Sequence, residues 1–389
     1  MSQAGAMTGV PPSTRQVLIK IHGRCNLKCT YCYIYEHVDQ SWRRKSAVMS
    51  DAVVAQVAKR LAEHAIERRS SGFEIVFHGG EPLLAGPDGI DRAASILRDA
   101  VPVPLSFTVQ TNGTLINPAF LDVFRRYGMR VGVSLDGGQE ATDRHRRYAD
   151  GRGSFDLVAR GLDLLRTEPR LYAGVLATID TANEPVQAYE DLLRFSPPRM
   201  DLLLPHGTWD RPPPGRGADQ IGTPYAEWLI AVFDRWYDAP VRETSVRLFE
   251  SICDLLLGGP GESEAVGLGR DMTVTIETDG SIGHNDFFKV TADGGAETGL
   301  NVFDHDFNDV LAHPAWNVPS GLESLCATCR SCPVARVCGG GLRAHRFRAG
   351  GLDNPSVYCP DLLALIQHIE RRLTADLRRL RPALAEAVA

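Results

Sequence analysis

Between residues 16 and 204, short apolar runs alternate with longer amphipathic ones, and that alternation constrains the fold more than any other feature of the chain. The runs at 16–22, 73–78, 105–111, 130–135, 171–179 and 200–204 are rich in Val, Ile, Leu and Phe and bounded by Gly, Pro or Asn, which predicts strands. The segments at 51–69, 89–99, 118–127, 154–167 and 183–195 carry helical periodicity. Ser50 is placed to cap the first of these, and Asn117 with Pro118 supplies an N-cap and a first-turn proline for the third. Strands separated by helices join as right-handed parallel crossovers, so the six units predict a parallel α/β sheet, curved like part of a barrel or doubly wound. In either arrangement chemistry collects at the C-terminal strand ends. The loops at those ends hold Cys25, Cys29 and Cys32 after the first strand, Gly79 to Pro82 after the second, Gln110 to Gly113 at the third and Asp136 after the fourth.

Beyond this region the pattern changes. Pro197-Pro198 and the RPPPGRG run at 211–217 are breakers, so the sheet is expected to close near residue 215. Helices are expected at 224–237 and 244–257, then a flexible Gly-rich surface loop at 258–269. Residues 272–277 and 281–288 flank Asp279-Gly280 and predict a hairpin. The cysteine-rich stretch 326–359 has little periodicity. Residues 361–380 predict a terminal helix with Leu362, Leu363, Ile366, Ile369 and Leu373 on its apolar face, ended by Pro382. The expected organisation is a flexible segment 1–15, a barrel-like domain 16–215, bridging helices 216–270 and a cysteine-rich domain 271–389.

Nine cysteines need an explanation. Residues 1–14 lack the basic and apolar stretches of a secretory signal, and no apolar run reaches the ~18 residues of a membrane span. The expectation is a cytoplasmic protein with no membrane partner, whose clustered thiols stay reduced and serve as ligands. Lys and Arg total 42 against 48 Asp and Glu, a net charge of −6, which argues against a nucleic-acid partner. Cys25-x3-Cys29-x2-Cys32 places three thiolates on one loop. A [4Fe–4S] cluster held by three cysteines leaves one iron open to a small molecule; the competing reading is zinc, with His22 or His37 as fourth ligand. Cys329-x2-Cys332-x5-Cys338, then Cys359, supplies four more thiolates, for a cluster or for a structural zinc ion. Cys253 and Cys326 are left over.

The N-terminal motif, with Tyr31 before its third cysteine, resembles the CxxxCxxC signature of the radical SAM superfamily. Gly79-Gly80-Glu81-Pro82 resembles that family's GGEP element, whose backbone meets the amino group of S-adenosylmethionine. Gln110-Thr111-Asn112-Gly113 resembles the element at the third strand, near the ribose and methionine moiety. Ser134-Leu135-Asp136-Gly137 resembles the fourth-strand element, which implies that Ser134 and Asp136 lie near the ribose. Arg146 occupies the last position of an HDxxR-like run whose first residue here is Thr142. Val175-Leu176 resembles the fifth-strand segment that packs on adenine. The resemblance spans roughly residues 15–215 and implies a partial (β/α)6 TIM-like barrel carrying a [4Fe–4S] cluster and S-adenosylmethionine.

The C-terminal cysteines resemble the SPASM extension of peptide-modifying members. There Cys329, Cys332, Cys338 and Cys359 would hold one auxiliary [4Fe–4S] cluster. A further cluster is not expected: Leu342 stands where that family has another cysteine, and the stretch ETDGSIGHND at 277–286 contains none. The runs around His206, Asp210, Cys338 to Arg346 and Asn354 to Cys359 resemble FxsB-type maturases, relatives of the Xye and Grr maturases. This implies cyclophane formation on a precursor peptide, joining an aromatic ring carbon to a side-chain Cβ, with an external flavodoxin or ferredoxin as electron donor. Formylglycine maturation of a sulfatase and thioether formation are the alternatives within the superfamily. The reaction releases a proton, and Asp210, Asp286, His206 and His345 are the candidate bases, Asp210 foremost.

Overall fold

The computed structural model describes residues 16–216, 222–269, 272–318 and 321–387. Its strands are β1 (Gln16–His22), β2 (Phe73–Gly79), β3 (Leu105–Thr111), β4 (Arg130–Ser134), β5 (Tyr172–Thr178), β6 (Arg199–Leu203), β7 (Ser245–Val246), β8 (Val274–Ile276), β9 (Ser281–Gly283) and β10 (Glu297–Asn301). They form one sheet in the order β10-β9-β8-β1-β2-β3-β4-β5-β6-β7. Neighbours from β8 through β1 to β7 run parallel, and β9 and β10 add antiparallel strands at the β8 edge.

The crossovers are α1 (Asp51–Arg68), α2 (Gly86–Ala100), α3 (Pro118–Tyr127), α4 (Gln139–His145), α5 (Phe155–Arg166) and α6 (Pro185–Leu193); α7 (Pro224–Tyr237) and α8 (Arg247–Leu256) follow the sixth strand. Ser50 Oγ accepts from the Val53 amide, and Asn117 Oδ1 accepts from Ala119 and Phe120, as the capping pattern requires. Val17, Ile19, Ile75, Phe77, Val109, Val131 and Val133 are fully buried against these helices. The alternate positions Lys20, His78, Gln110, Ser134 and Leu176 are turned to the opposite, concave face, because side chains on a strand alternate with period two.

All six expected strands are present, and the parallel α/β expectation holds. The sheet does not close at residue 215: β7 extends it on one side, and β8, from the cysteine-rich part, pairs with β1 on the other. The Asp279-Gly280 hairpin forms, with Gly280 at φ +82° and its amide donating to Glu277 O. The terminal helix is longer than expected: Cys359–Ala387 stays helical through Pro382. Among the described residues no helix is long and apolar enough to cross a membrane.

Candidate active site

β1 ends at His22, and the chain turns at once into the loop that carries Cys25, Cys29 and Cys32. The Lys28 and Thr30 amides tie this loop to Arg147 O and His145 O at 2.6 and 3.1 Å. All three cysteines are half-buried and line one wall of a cavity of about 330 Å³. Cys25 Sγ accepts from the Leu27 amide at 3.4 Å and from Asn112 Nδ2 at 3.7 Å. Burial pushes the Cys25 thiol up to about 12 and Cys29 to about 11, and raises Cys32. Three half-buried sulfurs on one loop, Cys25 with two N–H donors, suit a set that ionises on binding iron.

The next strand ends pack directly on this loop. A Cβ at Gly79 would lie 2.2 Å from His22 O, and one at Gly80 would lie 2.2 Å from Arg24 O, so only glycine lets the second loop sit against the first. Glu81 is buried at the cavity wall. Its carboxylate accepts from Thr111 Oγ1 (2.6 Å), the Asn112 amide (2.8 Å) and the Leu83 amide (3.0 Å), and its own amide donates to Arg24 O. Glu81 thus staples the second and third loops together, and burial raises it to about 7.

Gln110 Nε2 donates to Ser134 Oγ at 3.1 Å, and both line the cavity with Leu176. A Cβ at Gly132 would lie 2.4 Å from Gln110 Oε1, so the glycine makes room for that side chain. Asp136 is buried behind the wall. It accepts from Arg146 Nε (2.9 Å) and Nη2 (3.0 Å), from the Thr178 amide (2.9 Å) and from the Tyr31 hydroxyl. Its bidentate pairing holds Arg146 and Tyr31 against the cavity, which both of them line.

The cavity is also lined by the rings of Tyr33, His206, Phe287 and His345 with Leu204 and Leu342, and by the charged side chains of Asp201, Arg247 and Glu264. His206 Nδ1 lies 3.1 Å from His345 Nε2, and the Tyr33 ring meets His206 edge-on at 4.6 Å. Burial lowers His206 to about 4 and holds His345 well below the usual imidazole range, so both imidazoles are neutral near pH 7. Asp286 is buried but is not a lining residue. Lys20 Nζ pairs with it at 2.9 Å, off the hydrogen-bonding direction, and neither carboxylate oxygen accepts a hydrogen bond. Asp210 lies outside the cavity: it is exposed, and both its oxygens accept from the Ala349 amide, at 3.2 and 2.9 Å. Sequence reasoning missed His78, an imidazole on the cavity wall; the two-residue alternation along β2 was the signal that could have found it.

Cys329, Cys332, Cys338 and Cys359 are half-buried. Burial and the neighbouring thiols of Cys326, Cys359 and Cys338 push Cys329 up to about 12. Cys326, left over in the motif count, is therefore buried within hydrogen-bonding reach of Cys329, whereas Cys253 sits apart on α8, packed against the core. Gly339, Gly340 and Gly341 follow Cys338 with φ of +60°, +77° and +66°, and the buried Arg346 guanidinium donates to all three of their carbonyls. Among the described residues no three Cys, His, Asp or Glu side chains converge as a single zinc ion requires. A four-iron cluster spreads its cysteine sulfurs more widely, so both cysteine sets remain compatible with clusters.

Residues 19–192 match the model of the radical SAM superfamily. Along most of its length the chain is similar to the cysteine-type anaerobic sulfatase-maturating enzyme of Clostridium novyi (strain NT), at 23% identity over 358 residues, 90% of this chain and 93% of that protein. It is similar to the serine-type anaerobic sulfatase-maturating enzyme of Klebsiella aerogenes at 28% identity over 349 residues, 87% of this chain and 82% of that protein. Its fold is similar to that of native anSMEcpe with bound AdoMet and Cp18Cys peptide, with a TM-score of 0.78 at 22% identity, covering 94% of this chain and 99% of that one. The match to that superfamily over residues 19–192 takes in the three cysteines after the first strand and the ends of β2 to β5 that line the cavity.

Proposed function

We propose that this protein modifies a ribosomally made precursor peptide, joining an aromatic ring carbon to a side-chain Cβ to form a cyclophane. One observation carries this function: a single cavity runs from the three cysteines and the strand ends to an aromatic wall of Tyr33, His206 and Phe287. Cys25, Cys29 and Cys32 would hold a [4Fe–4S] cluster with S-adenosylmethionine on its open iron. When bound, that pair supplies a 5′-deoxyadenosyl radical able to take a hydrogen atom from the substrate. Cys329, Cys332, Cys338 and Cys359 would hold an auxiliary [4Fe–4S] cluster, which offers a one-electron acceptor. A flavodoxin or ferredoxin would deliver the initiating electron.

The chain's own residues position and enclose. Gly79 and Gly80 bring backbone close to the cofactor end, and Asn112 orients Cys25. Gln110, Ser134 and Leu176 wall the side where the nucleoside would lie, and Asp136 fixes Arg146 and Tyr31 beside it. Gly341, Leu342 and His345 bring the cysteine-rich segment over the cavity and exclude water. The barrel 16–215, the bridge 216–270 and the region 271–389 act as one unit around that cavity.

A second reading is favoured by the relatives: oxidation of a Cys or Ser side chain on a sulfatase. Co-expression with a candidate precursor peptide, and separately with a Cys- or Ser-type sulfatase, separates the two. A peptide that loses two hydrogens and carries a ring-to-Cβ bond is expected. An unmodified peptide, together with conversion of a sulfatase Cys or Ser, would sink the cyclophane function.

A further inference from the structure

The proton released on oxidation of the substrate needs an acceptor inside the cavity. Asp210 lies outside it, Asp286 is not among its lining residues, the Glu81 oxygens are already spent, and the lining carboxylates Asp201 and Glu264 are both paired with Arg247. His206 and His345 face each other at 3.1 Å, so protonating either sets a charge against a buried imidazole. His78 differs. It sits at the end of β2, immediately before Gly79, paired in register with Lys20 of β1, and its remaining accessible surface opens into the cavity. Its Nδ1 lies 3.0 Å from Gly79 O. A carbonyl only accepts, so Nδ1 carries the hydrogen and Nε2 is left with a free lone pair. Burial and the Lys20 ammonium hold the ring neutral, while Asp286 and Glu277 favour its protonated form. An imidazole under those opposed influences can accept a proton and release it.

We propose that His78 Nε2 is the proton acceptor of the oxidation, an inference that rests on the function proposed above. The peptide loses two hydrogens in all. One leaves as an atom from Cβ to the 5′-deoxyadenosyl radical. The new C–C bond then forms, and the ring radical loses an electron to an acceptor of the iron–sulfur class and a proton from the ring carbon to His78. Asp286 and Lys20 act as positioning residues behind it.

The test uses full-length reconstituted enzyme with the precursor peptide and compares wild type with His78→Gln and His78→Ala. The readouts are iron content and the ratio of crosslinked peptide to 5′-deoxyadenosine. In both variants iron is expected at the wild-type level, and the ratio is expected to fall by about 10²–10⁴-fold. Added imidazole is expected to restore part of the ratio in His78→Ala. An unchanged ratio overturns the proposal, and so does loss of iron in both variants, which would make His78 structural. If wild type yields some other oxidised product without a ring-to-Cβ bond, the cyclophane function fails, and the same ratio for that product still decides the role of His78.

Discussion

The two cysteine regions reach a similar end by opposite means. The loop of Cys25, Cys29 and Cys32 is placed by the sheet: β1 delivers it, Gly79 and Gly80 press against it, and Glu81 staples the loops beneath. Among the described residues, the segment of Cys329, Cys332 and Cys338 does not directly follow a strand of the sheet. Short helices, three glycines with positive φ and one buried arginine hold its shape. A site built on strand ends inherits the rigidity of the core, whereas a site built from turns depends on a few local contacts.

The largest expected effect tests whether the two regions are chemically separate. Replacing Cys25, Cys29 or Cys32 by Ala should abolish S-adenosylmethionine cleavage and reduce bound iron to about half, since each site takes four irons. Replacing Cys329 by Ala should remove a similar share of iron and leave cleavage to 5′-deoxyadenosine in place. Iron analysis and product chromatography read both. Loss of cleavage in both sets would show one coupled site and break the comparison.

Arg346→Met tests the claim that local contacts hold the C-terminal site. Three carbonyls lose their charged donor, which should cost about 3 kcal/mol, less than the sum of three separate bonds because the neighbouring turns relax together. Denaturant unfolding should show that loss, with auxiliary iron falling first. The reciprocal test in the barrel is Glu81→Gln. Its native carboxyl is raised to about 7, so the folded protein keeps a proton that the unfolded chain gives up earlier as pH rises. That stabilisation is fully present below about pH 4 and is lost as pH climbs to about 7. The stability difference between wild type and Glu81→Gln should therefore shrink by about 3 kcal/mol from pH 4 to pH 8. A difference that is flat with pH would mean that Glu81 is ionised in the fold.

How far each region was legible from sequence follows the same division. The six strands stood out because Val, Ile and Leu runs between Gly and Pro have one common use, and the motif residues fell on their ends. β8 and β7 were not placed in the main sheet, because three- and two-residue strands carry too little pattern to announce their partners. The turn-built segment was legible only as cysteine spacing. The αL glycines and the inward reach of Arg346 are local contacts, five to seven residues apart, but they leave no periodic pattern to read. Cys326 was set aside for the same reason: spacing gave it no partner, and only folding brings it to Cys329. His78 was readable in principle, since it shares the β2 face of Glu74 and Val76, but a histidine beside a glycine pair carries no signature of its own.

Asp210 gives the smallest expected effect and the sharpest check on where the proton leaves. Sequence favoured it as the base because it sits in a motif-rich stretch, and a carboxylate suits the task. In the fold it is exposed, and its two oxygens receive one amide, that of Ala349, which ties the loop after β6 to the cysteine-rich segment. An exposed hydrogen bond of this kind contributes about 0.5–1.5 kcal/mol. Asp210→Ala should therefore lower stability by no more than about 1 kcal/mol and leave the ratio of crosslinked peptide to 5′-deoxyadenosine within about twofold of wild type. A fall as large as that expected for His78→Gln would relocate proton release to the junction between the two regions and remove the distinction drawn between them.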